Sequence, residues 1–467
     1  MSTEPLPPTA ERPVEDPPPG PHRADRRDHR RSDAWVVGAG LGGLAAAALI
    51  ARAGYRVQVI ERRRRPGGRA ATDERRGFRF NRGPHALYHG GEAERVLGLL
   101  GIAPTGVAPP ARGGRMVRGG IVHLAPGGPG SLVRTGLLGP RDKADLARVL
   151  ARLDRADPHA LSATTTQRWI DGLTDRPSVR QVIEAIVRLT SYVDGPGELS
   201  ADVALSQVQL GFGPGVAYLD RGWGSLIDRL AATPGVRLEA GVAIDRLDDL
   251  DARVVGGIGG RTGTPVVVAV GGPAAASQVT GNAFEAGLGA DAATLDLGLA
   301  SPPRHRFVIG VDEPAYLSDH GGPAAMVPPG RSSVSLVGYV PVDGCDGSDG
   351  VEDGDDDRSA HDDRSGPAAV REGRARLLAF ARHAGITDDQ IVERRYLHRM
   401  SVVTSIARAS TGGMPGRVGT AVPGLCGVHV VGDWVGPSGH LADAVLASAE
   451  SAAEAVVAHL RDRPVLR

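Results

Sequence analysis

The chain has 467 residues, which is long for one hydrophobic core, so we expect two domains. Its residues are 41% hydrophobic and 23% charged, as in globular proteins, and the formal net charge of zero gives no electrostatic reason to expect nucleic-acid binding. The two cysteines, Cys345 and Cys426, fit no metal-ligand spacing. We therefore expect no metal site and a reducing, cytoplasmic setting.

Two segments lack the apolar residues that a packed structure needs. Residues 1–32 are rich in Pro, Arg, Asp and Glu, and such a segment cannot bury enough apolar surface to offset its ordering entropy. We expect a disordered tail there and, by the same argument, a disordered acidic loop at 343–366. The acids of that loop do not follow the EF-hand pattern, so a solvated loop is preferred over a calcium site.

The segment 33–72 has the pattern of a nucleotide-binding unit. An apolar strand is predicted at 34–37, a helix at about 41–53 and a second strand at 56–60. An acidic residue and a second glycine pair follow the second strand. This order of strand, glycine turn, helix, strand and acid is the context that makes a glycine motif informative.

Three glycines, Gly38, Gly40 and Gly43, form the pattern GxGxxG after the first strand. In dinucleotide-binding folds they permit a tight turn, close approach of a pyrophosphate, and close packing of helix on strand, respectively. The helix that begins at Leu41 would direct its N–H groups and positive dipole end at the phosphates. Glu61 ends the second strand and can accept hydrogen bonds from ribose hydroxyls. The segment therefore predicts a dinucleotide site.

A targeting signal is the competing interpretation of this segment. Arg30 and Arg31 precede an uncharged stretch at 34–51, which resembles a twin-arginine export signal. Four glycines interrupt the apolar run and a strand pattern follows it, so we favour a buried strand and helix. No other uncharged apolar run reaches about 18 residues, the length that spans a bilayer, but the sequence is compatible with peripheral membrane contact.

Helical and strand patterns alternate in the middle of the chain. Apolar spacing predicts amphipathic helices at 141–157 and 178–193, and alternating residues predict half-buried strands at 304–311 and 333–342. A further helix is expected at about 368–383. The region therefore predicts a mixed helix and sheet domain inserted into the nucleotide-binding domain.

Later segments predict a return to the first domain. They are a helix at 223–230, a short strand at 235–238, and buried strands at 265–270 and 428–431. Gly432 and Asp433 follow the last strand, and a glycine-rich turn leads into an alanine-rich helix at 441–460. If a flavin lies at this point, the N–H groups of Leu441 and Ala442 would face its pyrimidine carbonyl and stabilise negative charge. Asp433 would accept a hydrogen bond from the ribityl or phosphate region, or would only cap the helix.

With both ends considered, the chain resembles the superfamily of FAD-dependent amine oxidases and phytoene desaturases. Its motifs are the GxGxxG segment with Glu61, the RxGGRxxT motif from Arg65 to Thr72, the segment YLDRGWGSLIDRL at 218–230 and the C-terminal segment at 430–456. Softer matches at 81–91 and 311–321 favour the bacterial desaturase-like members. The resemblance implies FAD rather than NAD. It also implies noncovalent binding, since the stretch aligned with the cysteine of monoamine oxidases contains none.

The fold class that the resemblance implies is α/β. We expect a Rossmann-like FAD-binding domain with a doubly wound parallel sheet, as in glutathione reductase, and an inserted α+β substrate domain. The FAD-binding domain is expected to be discontinuous, at 33–105, 215–290 and 415–462. The substrate domain would then comprise 106–214 and 291–414.

The resemblance also implies which residues contact FAD. Arg69 would lie by the pyrophosphate and isoalloxazine, and Pro84 and His85 by the flavin edge. His85 is a weak catalytic candidate, with a structural role as its alternative. Backbone groups of Val242 or Ile244 would contact adenine; the strand register leaves both open, and core packing is the alternative for each. The full expected set is Gly38, Gly40, Leu41, Gly43, Glu61, Arg62, Gly68, Arg69, Pro84, Val242, Ile244, Gly432, Asp433, Leu441 and Ala442.

The preferred function is an FAD-dependent oxidoreductase that desaturates or dehydrogenates a hydrophobic, polyene- or terpenoid-like substrate by hydride transfer to flavin N5. Oxygen or a quinone would accept the electrons, and the protein would be cytoplasmic or peripheral to the inner face of the membrane. A flavin amine oxidase would have a pair of aromatic side chains flanking the flavin face, and many such oxidases place a lysine near flavin N5. This function is less favoured, because aromatic residues are only 4% and Lys143, the only lysine, lies in a polar helix. A flavin-assisted isomerase and a prenyl-binding escort protein are further alternatives, the latter opposed by the retained flavin motifs.

Overall fold

The structure is a computed structural model that describes residues 32–462 except 252, 254–256, 261–262 and 343–365. The predicted tail at 1–32 and acidic loop at 343–366 therefore lie, but for their last residues, outside the described part of the chain. Within the described ranges the strands form four β-sheets. None of the helices in those ranges is long and apolar enough to cross a membrane.

The elements are numbered in chain order. The strands are β1 (Ala34–Val37), β2 (Val57–Glu61), β3 (Thr72–Arg75), β4 (Phe78–Asn81), β5 (Leu87–Tyr88), β6 (Gly106–Val107), β7 (Arg115–Arg118), β8 (Ile121–Leu124), β9 (Val216–Leu219), β10 (Val236–Ala240), β11 (Val266–Val268), β12 (Ala290–Leu299), β13 (Phe307–Gly310), β14 (Ala315–Asp319), β15 (Ser332–Tyr339), β16 (Ile391–Val403) and β17 (Val428–Val430). The α-helices are α1 (Leu41–Arg52), α2 (Glu92–Leu99), α3 (Pro129–Arg134), α4 (Pro140–Leu153), α5 (Thr166–Leu173), α6 (Pro177–Ser191), α7 (Ala201–Phe212), α8 (Gly224–Ala231), α9 (Leu247–Asp251), α10 (Pro273–Thr280), α11 (Pro367–Ala381) and α12 (Ala442–Arg461).

A parallel sheet of five described strands carries the glycine motif. Its order is β10-β2-β1-β11-β17, and every neighbouring pair is parallel. All residues of β1, β11 and β17 are buried, as expected for parallel strands covered on both faces. Helices α1 and α12 pack on one face of the sheet, and α10 packs on the other. This α/β architecture confirms the predicted fold class.

A second sheet of seven described strands forms the inserted unit, in the order β16-β12-β15-β14-β13-β7-β8. Its strands pair antiparallel except for β7 and β13. One face packs on α11, and the opposite face packs on helices α4 to α7. The two remaining sheets are the β3-β4 hairpin and the small sheet β5-β9-β6, which connect the larger sheets.

The chain enters each large sheet more than once. The parallel sheet takes strands from 34–61, 236–268 and 428–430, and the seven-stranded sheet takes strands from 115–124, 290–339 and 391–403. The expected domain limits at single residues remain predictions. The predicted elements are present, but most of their ends differ by one to four residues; the helix predicted at 141–157, for example, ends at Leu153. Leu441 precedes the last helix instead of starting it, because its φ of 53° is left-handed.

A buried arginine joins the seven-stranded sheet to the hairpin. Arg395 of β16 is 3% exposed and donates from Nε and Nη2 to Asp296 Oδ2 at 3.0 and 2.6 Å. Its Nη1 donates to Asp73 of the hairpin at 2.8 Å, and its Nη2 donates to the carbonyl of Asn81. Asn81 begins the segment that leads to His85, so this contact holds one wall of the expected flavin site.

We predict that Arg395→Met lowers the thermal unfolding midpoint by about 5 °C or more, because it leaves the buried Asp296 carboxylate without its partner. Burial raises the pKa of Asp296 and only Arg395 and Ser335 oppose that shift. Arg399→Met on the same strand is the control, since Arg399 pairs with the more exposed Asp291 at 2.6 Å. For Arg399→Met we expect the unfolding midpoint to fall by about 1 °C or less. Equal decreases of the unfolding midpoint in the two variants, measured by scanning calorimetry, would contradict the role given to Arg395.

Candidate functional site

Two glycines of the first motif are required by the protein itself. Gly38 has a φ of 100°, and a Cβ there would lie 2.3 Å from the carbonyl oxygen of Ala269. At Gly43 a Cβ would lie 2.0 Å from the carbonyl oxygen of Gly38. These positions therefore form the tight turn after β1 and the close contact of α1 with it, as the motif predicts.

Gly40 is different, because nothing in the described part of the protein requires a glycine there. Its φ of −75° and ψ of −177° are extended backbone that any residue adopts. A Cβ at Gly40 would meet no described heavy atom within 4 Å. The residue leaves open space directly before the N-terminus of α1 at Leu41, where helix N–H groups attract anions. That space fits the expected pyrophosphate of a dinucleotide.

The carboxylate of Glu61 braces the same loop. Its Oε2 accepts the N–H of Ala39 at 2.7 Å, and its Oε1 accepts the N–H of Arg63 at 2.9 Å. A carboxylate has about four acceptor positions, so two remain for ribose hydroxyls. Arg62 points elsewhere, since it is exposed and pairs with Asp245 at 2.8 Å. The cofactor role expected for Arg62 therefore has no supporting contact.

The second glycine pair packs against the first motif. The N–H of Gly67 donates to the carbonyl of Ala39 at 2.8 Å, and Gly67 forms a bridge with Gly40. Gly67 and Gly68 have φ values of 122° and 53°, a left-handed backbone that glycine adopts readily. The short helical turn that follows, Gly68–Ala70, carries Arg69. The two glycine motifs therefore meet at one point, around the open space at Gly40.

An ion pair joins the two ends of the chain. Arg69 Nη1 donates to Asp433 Oδ2 at 2.9 Å and to the carbonyl of Val402 at 3.0 Å. Asp433 is 1% exposed and also accepts the N–H of Thr404 at 3.0 Å and the hydroxyl of Thr404. Burial alone would raise the pKa of Asp433, but Arg69 and Thr404 outweigh it and hold that pKa below its ordinary value.

These contacts change what Asp433 is expected to do. Arg69 and Thr404 occupy three of its about four acceptor positions, so its observed contacts join three chain segments, and a hydrogen bond from a ribityl hydroxyl stays a prediction. Gly432 beside it is required by packing, because a Cβ would lie 2.5 Å from Trp434 Nε1. Thr404 and Val402 were missed by sequence reasoning, since an isolated threonine and a backbone carbonyl at a strand end give no signal.

The turn after Asp433 ends at Leu441 and Ala442. Leu441 is half-buried, and Ala442 starts helix α12, whose first N–H groups have no partners within the helix. His440 Nε2 lies 2.8 Å from the carbonyl of Ser191 and ties the turn to the end of α6. Burial lowers the pKa of His440 to about 4, although the hydrogen bond to Ser191 opposes this. The neutral ring is therefore a structural anchor.

Pro84 and His85 lie in the segment after β4, where Pro84 is buried and His85 is half-buried. His85 Nδ1 lies 3.0 Å from the carbonyl of Gly83, and its ring packs 5.1 Å from Trp223. Burial lowers the pKa of His85 to about 4; the hydrogen bond to Gly83 opposes the shift, and the charges of Arg69 and Arg395 add to it. A neutral imidazole with this pKa is a poor general base, so a catalytic role stays an unsupported prediction.

The two adenine candidates differ in their surroundings. The N–H of Val242 donates to the carbonyl of Glu61 at 2.9 Å, which leaves only the Val242 carbonyl for a ligand. The Ile244 side chain is 5% exposed and packs in the core between the parallel sheet and α10. Val242 lies beside the carboxylate expected to bind ribose, but contact of either residue with adenine stays a prediction.

A cluster of tyrosines lies beside the turn, and sequence reasoning missed it. Five of the seven tyrosines are buried, and burial raises the pKa of each of their hydroxyls. Leu441 packs against the core that contains three of them. The hydroxyls of Tyr192 and Tyr316 lie 3.2 Å apart. The set is Tyr88, Tyr192, Tyr218, Tyr316 and Tyr339.

We predict that Gly40→Val folds normally but does not bind FAD, because its side chain fills the open space in front of α1. Purified protein should show an unchanged far-UV circular dichroism spectrum and no flavin absorption after incubation with FAD. Gly98→Val is the control, since Gly98 lies on exposed α2 and a Cβ there also meets no described heavy atom within 4 Å. Normal flavin content in Gly40→Val would contradict the assignment of this space.

Stability should depend on pH through Asp443 in the first turn of α12. Burial raises its pKa to about 7, against the hydrogen bond from the Ala93 N–H at 2.7 Å, and the charges of Glu92 and Glu94 add to the rise. Between pH 4 and 7, the Asp443 carboxyl is therefore protonated in the folded protein but ionised in the unfolded chain. Its contribution, at most about 4 kcal/mol, is complete below pH 4 and is lost as the pH rises to 7.

Asp443→Asn keeps the acceptor for Ala93 but removes the titration. We expect a higher melting temperature than the native protein at pH 8 and a similar one at pH 4.5. Asp462→Asn at the exposed end of α12 is the matched control and should change the melting temperature equally at both pH values. If Asp443→Asn changed the melting temperature equally at pH 4.5 and pH 8, the raised pKa of Asp443 would be refuted.

Comparison with known proteins agrees with this geometry. The family described as "NAD(P)-binding Rossmann-like domain" matches residues 36–101, the part that holds both glycine motifs. The neurosporene-forming phytoene desaturase of Rhodobacter capsulatus is 53% identical over 51 residues, 11% of this chain and 10% of the relative. A component of the limonene dehydrogenase of Castellaniella defragrans is 32% identical over 129 residues, 28% of this chain and 21% of the relative.

The sequence matches are local, and the structural match is not. The aligned parts span about a tenth to a fifth of the length of the curated relatives. The solved structure of putrescine oxidase bound to putrescine matches 91% of this chain and 99% of its own, with a TM-score of 0.62 and 15% identity. At that identity the match shows the fold alone. Motifs, relatives and fold together confirm the predicted resemblance to the superfamily of FAD-dependent amine oxidases and phytoene desaturases.

Proposed function

We propose that this protein is an FAD-dependent oxidoreductase that desaturates or dehydrogenates a hydrophobic, polyene- or terpenoid-like substrate. The observation that carries the proposal is the open space at Gly40, where neither conformation nor packing explains a glycine. A dinucleotide pyrophosphate explains it. The same space argues against an escort protein without flavin, which would have no need to keep it.

The chain's own residues would hold FAD at both ends of the cofactor. Glu61 would accept the ribose hydroxyls, and the N-terminus of α1 would bind the pyrophosphate. Arg69, held by Asp433, would lie between the pyrophosphate and the ring. The N–H groups at Leu441 and Ala442 would stabilise negative charge on the pyrimidine side. Bound FAD supplies the hydride acceptor, and the protein supplies position and electrostatics.

Noncovalent binding is part of the proposal. The turn from 435 to 441 contains no cysteine, and Cys426 lies on the surface before β17. A covalent thioether would need a cysteine at the flavin. The interactions named above, with no bond to the ring, therefore hold the cofactor.

The substrate side of the site is proposed to be dry and largely apolar. Leu441 packs against the buried core that contains Tyr192, Tyr316 and Tyr339 and one face of the seven-stranded sheet, and such burial would exclude water from the reacting carbon. The relatives named for phytoene and limonene act, by those names, on hydrophobic terpenoids, and this supports the same substrate class here.

The described part of the site offers no strong base, which favours desaturation over chemistry that needs one. His85 is neutral with a pKa of about 4. Lys143 lies on α4, where its Nζ donates to the carbonyl of Val133 at 2.8 Å, away from the glycine motifs. A polyene-like substrate can lose its second proton from a stabilised cation and does not require a basic side chain.

An amine oxidase is the second candidate, and the tyrosine cluster is the observation that favours it. Aromatic walls beside the flavin would bind a cationic amine through their ring faces. The structural similarity to putrescine oxidase is compatible with this candidate but shows only the fold. The only lysine, Lys143, lies on α4 away from the glycine motifs, and this argues for the desaturase.

The remaining parts of the proposal concern partners and location. Oxygen or a quinone would reoxidise the flavin. Peripheral contact of a cytoplasmic protein with the membrane is supported by two exposed apolar side chains: Val133, which is 75% accessible and adjacent in sequence to the basic Arg134, and Ile121, which is 62% accessible.

Anaerobic bleaching of the flavin tests this function. The FAD-loaded protein is mixed under argon with a polyene, a monoterpene or a primary amine, and absorption near the flavin maximum is followed in time. We expect bleaching with a polyene or terpene and none with the amine. Bleaching by the amine alone would replace the proposal with amine oxidation.

A further inference from the structure

Arg417 holds the turn that leads from Asp433 to Leu441 and Ala442, the residues proposed to face the flavin. Its Nη1 donates to the carbonyl of Asp433 at 2.9 Å. Its Nη2 donates to the carbonyl of Gly439 at 2.7 Å and to that of Ser438 at 3.3 Å. One guanidinium therefore fixes both ends of the turn 433–439.

The segment before Arg417 is itself anchored to the substrate domain. Asp202 of α7 is fully buried, and its Oδ2 accepts the N–H of Met414 at 2.9 Å. Beyond Arg417, Val418 pairs with Val435, and the carbonyl of Val418 accepts the N–H of Gly436 at 2.8 Å. Arg417 therefore belongs to a segment that is anchored on both sides, and it contacts both ends of the turn 433–439.

The position is costly for an arginine, which argues against a merely incidental contact. Its buried Nε has no hydrogen-bond partner among the described residues. Burial lowers the pKa of Arg417 to about 10, although the charges of Asp433 and Asp202 oppose the shift. An unpaired buried donor is destabilising, so a residue that only had to fill this space would not be an arginine.

We propose that Arg417 is a positioning residue for the flavin site: it fixes the turn 433–439 so that Leu441 and Ala442 present their N–H groups to the flavin. The inference rests on the proposed FAD function. Lysine cannot replace it fully, because one ammonium group cannot reach carbonyls at both ends of the turn as the planar guanidinium does.

The test compares Arg417→Met and Arg417→Lys with Arg408→Met. Arg408 lies in the same segment and pairs with Glu198 at 3.1 Å, and its side chain makes no described contact with the turn. FAD is titrated into flavin-free protein, and the visible circular dichroism of the bound flavin is recorded. We expect about tenfold weaker binding or more for Arg417→Met, a smaller loss for Arg417→Lys and a change below about twofold for Arg408→Met.

Amide hydrogen exchange on flavin-free protein separates this inference from the proposed function. Exchange at 433–442 should be faster in both Arg417 variants and unchanged in Arg408→Met. If the native protein binds no FAD, the proposed function fails, and exchange still decides whether Arg417 orders the turn. If Arg417→Met does not fold, Arg417→Lys decides. The proposal would be overturned if the Arg417 variants folded and kept the FAD affinity, the flavin dichroism and the amide exchange of the native protein.

Discussion

The contact of Arg69 with Asp433 is the interaction on which the site depends. It joins residues that are 364 positions apart, and Thr404 adds a third segment from the end of the seven-stranded sheet. The glycine pair before Arg69, the helix after Leu441 and strand β16 therefore meet at one buried carboxylate. The parallel sheet takes its strands from separate stretches of the chain, and this contact adds a side-chain link between those stretches.

The electrostatic balance of this joint is consistent with a site for an anion. Asp433 is fully buried and charged, and its partner Arg69 is about one-third exposed on the side of the glycine loops. Arg417 adds a second, half-buried positive charge beside it, and its described hydrogen bonds go to backbone carbonyls. Together with the N-termini of α1 and α12, these groups give a positive environment in a low dielectric, which is what a pyrophosphate and a reduced flavin require.

The local parts of this structure could be predicted from sequence, and the long-range contacts could not. The strand, the glycine turn and α1 follow from spacing that is fixed within 30 residues, and so does the position of Glu61. Asp433 was identified by its motif, but its partner Thr404 was not, because an unremarkable threonine is brought there only by strand β16. The tyrosine cluster and Arg417 were missed for the same reason. Leu441 was assigned to the helix, since its strained φ leaves no mark on an alanine-rich pattern.

Flavin content is the most direct test of the account. The full chain is purified, unfolded to release any bound cofactor, refolded and titrated with FAD while the absorption and fluorescence of the flavin are followed. One FAD bound per chain, released again by unfolding without protease, is the result that the open space at Gly40 and the absence of a cysteine from 435–441 predict. A folded protein that is colourless and binds no FAD would contradict the account.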